Sequence, residues 1–153
     1  MVISTTNMLA YAAGVVDSEG WVGIGRNGKK NYYPEVLVGM IHEKTIKTLH
    51  DWFGFGRTHK RLGNKTLNCR DCYAWKCSSS NAIKLLKLIY PYMITKKEQA
   101  KYVLEFMGRR STQWELFPKM GGDKGYRQVP QSEIQQREFF YNLLGGLNKK
   151  GYR

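Results

Sequence analysis

The sequence is poor in cysteine, and its N-terminal part has neither a long apolar run nor basic charge. Cys69, Cys72 and Cys77 are the three cysteines of 153 residues, an odd number that argues against a disulfide framework and favours a reducing compartment. The apolar stretch at residues 8–16 is too short to span a bilayer. No Lys or Arg precedes Arg26, so the basic segment of a secretory signal peptide is missing. We therefore expect no membrane association and an intracellular protein, in the cytoplasm or in an organelle.

Negative charge is also scarce. Twelve Asp and Glu residues stand against 25 Lys and Arg, which leaves a formal net charge of +13. Such a surplus repels itself unless a polyanion supplies the countercharge, so nucleic acid is the leading partner. Ribosomal and membrane-surface proteins share this charge, and it does not identify a function alone. The length suits one domain, residues 1–153, with a core of its own.

The apolar periodicity predicts helices and β-hairpins in the order αββαββα, followed by C-terminal helices. Thr5 or Thr6 is expected to cap a first helix that contains residues 8–16 and ends at Gly20. Strands are predicted at residues 21–27, 32–41, 57–61 and 66–77, and helices at 45–53, between the capping segment 78–80 and Pro91, at 97–107 and at 131–144. Because the strands come in hairpins, we predict an α+β fold: one four-stranded, antiparallel, saddle-like sheet backed by helices.

The first helix carries a stripe of small residues that ends in acid. At helical spacing the stripe comprises Ala10, Ala13, Gly14 and Asp17, and it either admits the helix of a second copy or fills a tight core. Asp17 and Glu19 lie at the helix C-terminus, where the macrodipole disfavours each negative charge by roughly 0.3–1 kcal/mol. A two-fold contact would bring two Glu19 carboxylates together, and these would need a hard divalent cation. Such an ion, on a basic protein, suits phosphodiester hydrolysis.

These residues belong to a recognisable motif. The run Ala12-Ala13-Gly14-Val15-Val16-Asp17-Ser18-Glu19-Gly20 resembles the nine-residue motif of the LAGLIDADG homing endonucleases, and the order of elements is similar to theirs. The single copy resembles the single-motif members, which act as homodimers on long, pseudo-palindromic DNA; double-motif members are about twice as long. The sequence departs from the motif in having Glu19 at the last acidic position and Ala12 for the first Leu.

The resemblance implies an intron- or intein-associated, site-specific double-strand DNA endonuclease that uses Mg²⁺, with Mn²⁺ as a substitute. It makes Glu19 the metal-ligating carboxylate, with the Ser18 main-chain carbonyl as a further candidate ligand, and makes Asp17 structural. An RNA-binding intron maturase and a non-cleaving DNA-binding regulator on the same scaffold stay open as alternatives.

Three more catalytic candidates rest on the same resemblance. Glu43 would help to position water or metal. Lys96 would stabilise charge near the scissile phosphate, with Lys47 as a weaker candidate. Without the resemblance, these three residues are ordinary exposed charges.

Strand alternation predicts the surface that reads DNA. Tyr73 and Trp75 share one parity of the fourth strand and should face the helices, whereas basic and amide side chains share the other. Arginine matches guanine and asparagine matches adenine by paired hydrogen bonds, although solvated edge charge is an alternative. The predicted contacts are Arg57, His59, Arg61, Asn68, Arg70 and Lys76 on the sheet, Asn27, Lys29, Lys30, Asn31 and Tyr32 at the first hairpin, and Lys119, Lys124 and Arg127 to phosphates. In the second strand, residues 36–41 are apolar on both parities and assign no face.

The Cys69-x-x-Cys72 spacing, with Cys77, also suggests zinc. Strand alternation, however, places Cys72 opposite Cys69 and Cys77, and no His follows at ligand spacing. We therefore expect structural cysteines.

Overall fold

A computed structural model describes residues 4–28, 31–63, 69–113, 119–120 and 126–150, with the backbone alone at 110–113, 119–120, 126–127 and 150. The helices are α1 (Thr5–Glu19), α2 (Glu43–Phe53), α3 (Ser80–Ile89), α4 (Lys97–Gln113) and α5 (Gln131–Lys150). The strands are β1 (Gly20–Asn27), β2 (Asn31–Met40), β3 (Arg57–Arg61), β4 (Cys72–Ser78) and a short pair, β5 (Lys119–Met120) and β6 (Tyr126–Arg127). A 3-10 turn, Tyr90–Tyr92, follows α3. The order αββαββα is confirmed.

The first four strands form one antiparallel sheet in the order β1-β2-β4-β3, which confirms the predicted fold class. The register pairs Val22 with Val36, and Val38 with Trp75. All four are buried on the face that the helices cover. The opposite face carries Arg57, His59 and Arg61 of β3, a strand whose residues are all exposed. We call this second surface the open face.

Helix α1 begins and ends differently from a free helix. Its cap is Ser4, one residue before the predicted Thr5, and the Ser4 hydroxyl accepts a hydrogen bond from the Asn7 N–H at 3.3 Å. At the other end the Gly20 N–H donates to the Val16 carbonyl, and Gly20 already has extended geometry. A Cβ there would lie 2.5 Å from that carbonyl oxygen, so the position requires glycine. No loop separates α1 from β1, and Glu19 lies at their junction.

Strand β4 is shorter than the predicted strand, residues 66–77. The last residue of β3, Arg61, pairs with Cys72, which is the first residue of β4. Asp71 instead accepts a hydrogen bond from the Gly63 N–H at 2.9 Å and pairs with Lys60 at 2.8 Å. Arg70 therefore lies outside the strand, contrary to prediction.

Aromatic side chains join the helices to the sheet. The Trp75 ring stacks on Phe53 with centroids 5.4 Å apart, and its Nε1 donates to the Phe55 carbonyl at 3.0 Å. Helix α5 covers β1, where the Asn148 amide donates to the Val22 carbonyl at 3.0 Å. Within the described ranges, no helix is both long and apolar enough to cross a membrane.

Candidate catalytic site and nucleic-acid interface

Asp17 connects the end of α1 to the start of α4. Its carboxylate accepts hydrogen bonds from the backbone N–H groups of Ile94, Thr95 and Lys96, at 2.6, 3.2 and 2.9 Å. The carboxylate opposes the dipole of α1 but complements the N-terminal end of α4, which begins at Lys97. The predicted structural role of Asp17 thus has a physical basis: it ties together two segments that are about eighty residues apart in the chain.

The same contact positions Lys96. Its Nζ donates to the main-chain carbonyl of Asp17, and the side chain is partly buried. Desolvation lowers the pKa of Lys96, while the charges of Asp17 and Glu19 oppose that shift. The influence of Glu19 on Lys96 means that the two candidate catalytic groups, which are distant in sequence, occupy one neighbourhood.

A concavity of about 600 Å³ adjoins these groups, lined by Asp17, Ser18, Lys96 and the C-terminal part of α5. Glu19 itself is exposed. The Ser18 hydroxyl donates to the Gly14 carbonyl at 3.0 Å and so turns back onto its own helix. The candidate metal ligand of Ser18 is therefore its main-chain carbonyl and not its hydroxyl, as the sequence resemblance implies.

Glu43 lies at the same end of the sheet as Glu19. Strand β1 starts where β2 ends, because Gly20 pairs with Val38, and Glu43 begins α2 just after β2. Its carboxylate contacts Lys47 Nζ at 2.7 Å, one turn along α2. This hydrogen bond lowers the pKa of Glu43 and raises that of Lys47. The two candidates thus form an exposed pair with each other.

Tyr73 extends this pair toward the sheet. After Lys47, Tyr73 also lowers the pKa of Glu43, and after Asp71 it also raises the pKa of Lys60, so in both cases it favours the charged form. Lys60 in turn lies 2.8 Å from Asp71 and 5.4 Å from the centroid of the Tyr73 ring. Sequence parity assigned Tyr73 only to the core and did not reveal this polar role.

The ligand atoms that the chain offers indicate which kind of metal site is possible. Among the described residues, no group of three or more His, Cys, Asp or Glu side chains could hold an ion. One chain offers the Glu19 carboxylate and the Ser18 carbonyl. Magnesium binds through one or two carboxylates plus water and substrate phosphates, so this set fits an ion whose remaining ligands are water and phosphate oxygens. It does not fit a structural metal, zinc included.

The cysteines agree with the structural interpretation. Cys77 is fully buried, and burial raises its pKa to about 12. Cys69 is exposed outside the strand, and Cys72 lies on the face opposite Cys77.

The small-residue stripe of α1 is divided between two surroundings. Ala13 is fully buried in the core of its own chain, where the neighbouring Ala12 is buried as well. Ala13 is therefore not available to a second copy, contrary to prediction. Ala10 and Gly14 are exposed, and a Cβ built on Gly14 would meet nothing within 4 Å. The surface of α1 that can meet a partner is thus narrower than the predicted stripe.

Most of the described residues of the predicted DNA surface do share the open face. Arg57 pairs with Lys76, His59 with Ala74 and Arg61 with Cys72, all on the side opposite Trp75. At the other end of the sheet, Asn27 pairs with Asn31 on the same face. A concavity of about 590 Å³ is lined by Asn27, Tyr33, Arg57, His59 and Lys76, together with neighbouring small polar residues.

Tyr32 does not belong to this surface. It is 1% exposed and meets Tyr141 of α5 edge to face, with centroids 5.8 Å apart. The prediction of a DNA contact is wrong here because Tyr32 points to the helices. Its neighbour Tyr33 is the tyrosine on the open face, above Gly25.

The remaining predicted contacts can be located only in part. Lys119 and Arg127 face each other across β5 and β6, where only the backbone is described. Arg70 is exposed but outside the strand. Lys29, Lys30, Asn68 and Lys124 lie outside the described residues.

Two residues of the open face were missed from the sequence. Glu35, paired with Gly23 and Ser78, contacts Lys76 Nζ at 2.6 Å. The ring of Trp21 lies over Gly23 beside it. A single carboxylate in the otherwise apolar second strand was the available signal, since a charge there needs a partner.

Three solved structures show what this architecture resembles. The homing endonuclease I-CvuI, in complex with the I-CreI target, matches with a TM-score of 0.69 and 16% identity over 94% of this chain and 83% of that one. The archaeal intron-encoded homing endonuclease I-Vdi141I, complexed with DNA, gives 0.59 and 15%, over 92% and 99%. The LAGLIDADG homing endonuclease I-GzeII, in complex with its DNA target, gives 0.59 and 15%, over 89% and 43%.

No protein-family model matches the sequence, and no curated protein matches it either. The relationship is therefore one of architecture. The chain has the fold of the LAGLIDADG homing endonucleases, as the motif at residues 12–20 predicted.

Proposed function

We propose that this chain, residues 1–153, is one LAGLIDADG-type domain that acts as a site-specific double-strand DNA endonuclease. It hydrolyses phosphodiester bonds with divalent metal, Mg²⁺ or in its place Mn²⁺, at the interface of a homodimer. The observation that carries the proposal is the junction where Asp17 binds the backbone at 94–96. That junction brings Lys96 close to Glu19 beside a basic, concave sheet face.

The division of labour follows from burial and charge. Glu19, exposed at the α1–β1 junction, supplies the anionic ligand, and the Ser18 carbonyl is its candidate companion. A divalent ion bound there would polarise the scissile phosphate and activate water. Lys96 has a partly desolvated ammonium fixed by the Asp17 carbonyl, and it stabilises negative charge that develops on the phosphate. Glu43, held by Lys47 and Tyr73, orients water at the same end of the sheet.

The open face supplies DNA recognition. Exposed Arg57, His59 and Arg61 form one row along β3, which suits a major groove because the base edges there present a distinct pattern of donors and acceptors. Asn27 and Asn31 extend this surface to the hairpin end. Lys119, Lys124 and Arg127 are proposed as phosphate contacts.

The proposed homodimer follows from the number of acidic motifs in one chain. One chain holds a single acidic motif, and the match to I-GzeII covers 89% of this chain but 43% of that one. A double-strand cut needs two sites, so a second copy must complete the enzyme. Exposed Ala10 and Gly14 of α1 offer a surface on which two backbones can approach closely. The target is then a long, pseudo-palindromic duplex.

The test is to select a target from random-sequence duplexes in Ca²⁺, and then to measure plasmid cleavage with Mg²⁺. We expect Glu19→Gln to abolish cleavage while binding persists, because the variant loses a metal-ligating charge and keeps the basic face. Glu98→Gln, an equal change of charge at an exposed residue beside the same concavity, is the control. Cleavage by Glu19→Gln at the wild-type rate would refute the assignment. Selection of sequences without any metal-dependent cut would favour the non-cleaving regulator, and preference for RNA would favour the maturase.

A further inference from the structure

Glu35 is an acidic residue on a surface that is otherwise basic. The register places it on the open face, between Gly23 of β1 and Ser78 of β4. The residue is 9% exposed even though it lies on the face opposite the buried core. The aromatic rings of Trp21 and Tyr33 lie over Gly23 and Gly25, and Gly23 is the direct β1 neighbour of Glu35.

The partner of Glu35 is Lys76, one of the predicted DNA contacts. Glu35 Oε2 lies 2.6 Å from Lys76 Nζ, and the two side chains are 12% and 34% exposed. The contact is an ion pair more than an aligned hydrogen bond, since Oε2 has no hydrogen-bond partner among the described residues. A lysine held in this way is not a mobile surface charge, because a partly desolvated carboxylate resists losing its counterion.

Resting on the proposed function, we infer that Glu35 is a positioning residue for sequence recognition. It fixes the Lys76 ammonium on the open face as a donor to one guanine in each half-site, and it keeps Lys76 from binding a phosphate instead. An ammonium has three donors, so the Glu35 contact leaves donors for O6 and N7 of guanine, which are the acceptors that lysine reads in the major groove.

The geometry next to Lys76 agrees with this role. Its cross-strand neighbours on the open face are Arg57 and Leu37, and Lys76 lines the same concavity as Arg57 and His59. A free lysine has a flexible stem and acts as a point charge toward phosphates. Neutralisation by Glu35 makes a phosphate a poor partner, since the phosphate would meet a carboxylate as well.

The experiment compares Glu35→Gln, Lys76→Met and the double variant on random-sequence duplexes. In Glu35→Gln, base discrimination at one position of each selected half-site should fall about 5- to 150-fold, the range for one base contact. The slope of log K against log salt should steepen by about 0.9, one extra phosphate contact made by the released lysine. Lys76→Met should lose the same base preference without that steeper slope. The double variant should behave like Lys76→Met.

The control is Glu138→Gln on α5, an exposed glutamate whose loss changes the net charge equally. It should leave both readouts at wild-type values. A merely structural role of Glu35 would lower the melting temperature of Glu35→Gln and leave its base profile and salt slope unchanged, and that result would overturn the inference. If Glu35→Gln does not fold by circular dichroism, Lys76→Met decides: retained preference at every position overturns the inference, and loss at one position upholds it. Wild-type protein that selects no sequence at all would instead refute the proposed function.

Discussion

Replacing Asp17 by Asn should separate the structural part of the motif from its chemistry. The Asp17 carboxylate accepts three backbone N–H groups, from Ile94, Thr95 and Lys96. An asparagine keeps one acceptor oxygen, but its NH₂ group would face donors. The variant therefore loses the charge and at least one of the three contacts, while the size of the side chain stays the same.

The magnitude follows from the exposure of the donors. A hydrogen bond to a charged group contributes about 1.5–3 kcal/mol. The contacts with Ile94 and Thr95 are exposed, so water replaces part of what is lost, whereas the contact with Lys96 is partly buried. We expect Asp17→Asn to lower the free energy of unfolding by about 2–4 kcal/mol, a large share of the roughly 5–15 kcal/mol that holds a domain together. Cleavage should fall as well, because the segment that positions Lys96 is no longer tied to α1.

Urea unfolding measures the first effect, and nicking of plasmid below the unfolding range measures the second. Asp51→Asn is the control, since its side chain is 78% exposed and lies 3.7 Å from His50; the stability of this variant should stay within about 0.5 kcal/mol of wild type. Binding to random-sequence DNA should stay within about threefold, because the open face is unchanged. Wild-type stability and cleavage in Asp17→Asn would contradict the proposed role of this junction.

Three further outcomes are expected. Gly14→Leu should leave the monomer folded, since a Cβ there meets nothing within 4 Å, and should abolish dimer formation in analytical ultracentrifugation; an active wild-type monomer would rule out the dimer. Arg57→Ala should relax preference at one base pair in each half-site by about 1–3 kcal/mol, whereas Lys119→Ala should weaken all sequences and reduce the salt slope by about one; equal effects of both variants on every target would exclude a reading role for β3. Trp75→Phe should cost about 1–3 kcal/mol in urea unfolding, because the Phe55 carbonyl loses its donor, and no loss would show that water replaces it.

Apolar periodicity and the positions of glycine and proline predicted the order of helices and strands, because each segment fitted only one type of secondary structure. Residues 57–61, which follow the helix break at Gly54 and Gly56, form β3 at the predicted bounds. The prediction failed where alternation was extended without a partner strand. The parity of Trp75 was carried back to Arg70, but β4 begins at Cys72, which pairs with Arg61, the last residue of β3. Strand length depends on pairing, and one strand's own sequence does not contain it.

The candidate site was predictable where it lies within a motif and not where it depends on register. The motif indicated Glu19 and Asp17, but the partners of Asp17 come from residues 94–96 and become visible only in the folded chain. Residues 36–40 of the second strand are apolar on both parities because the strand is central, with β1 on one side and β4 on the other. Its sequence therefore could not show that Glu35 shares a face with Lys76.

The direct passage from α1 into β1 affects the spacing between the cut and the recognised bases of a target. Glu19 ends the helix, Gly20 begins the strand, and the Gly20 N–H is bonded to the Val16 carbonyl. With no intervening loop, the distance from the cutting group to the first strand of the reading surface is set by covalent geometry. Under the proposed function, the protein therefore cuts at a fixed distance from the bases that it reads. Substitutions on the open face would change which bases are read, while the number of base pairs between those bases and the cut would stay constant.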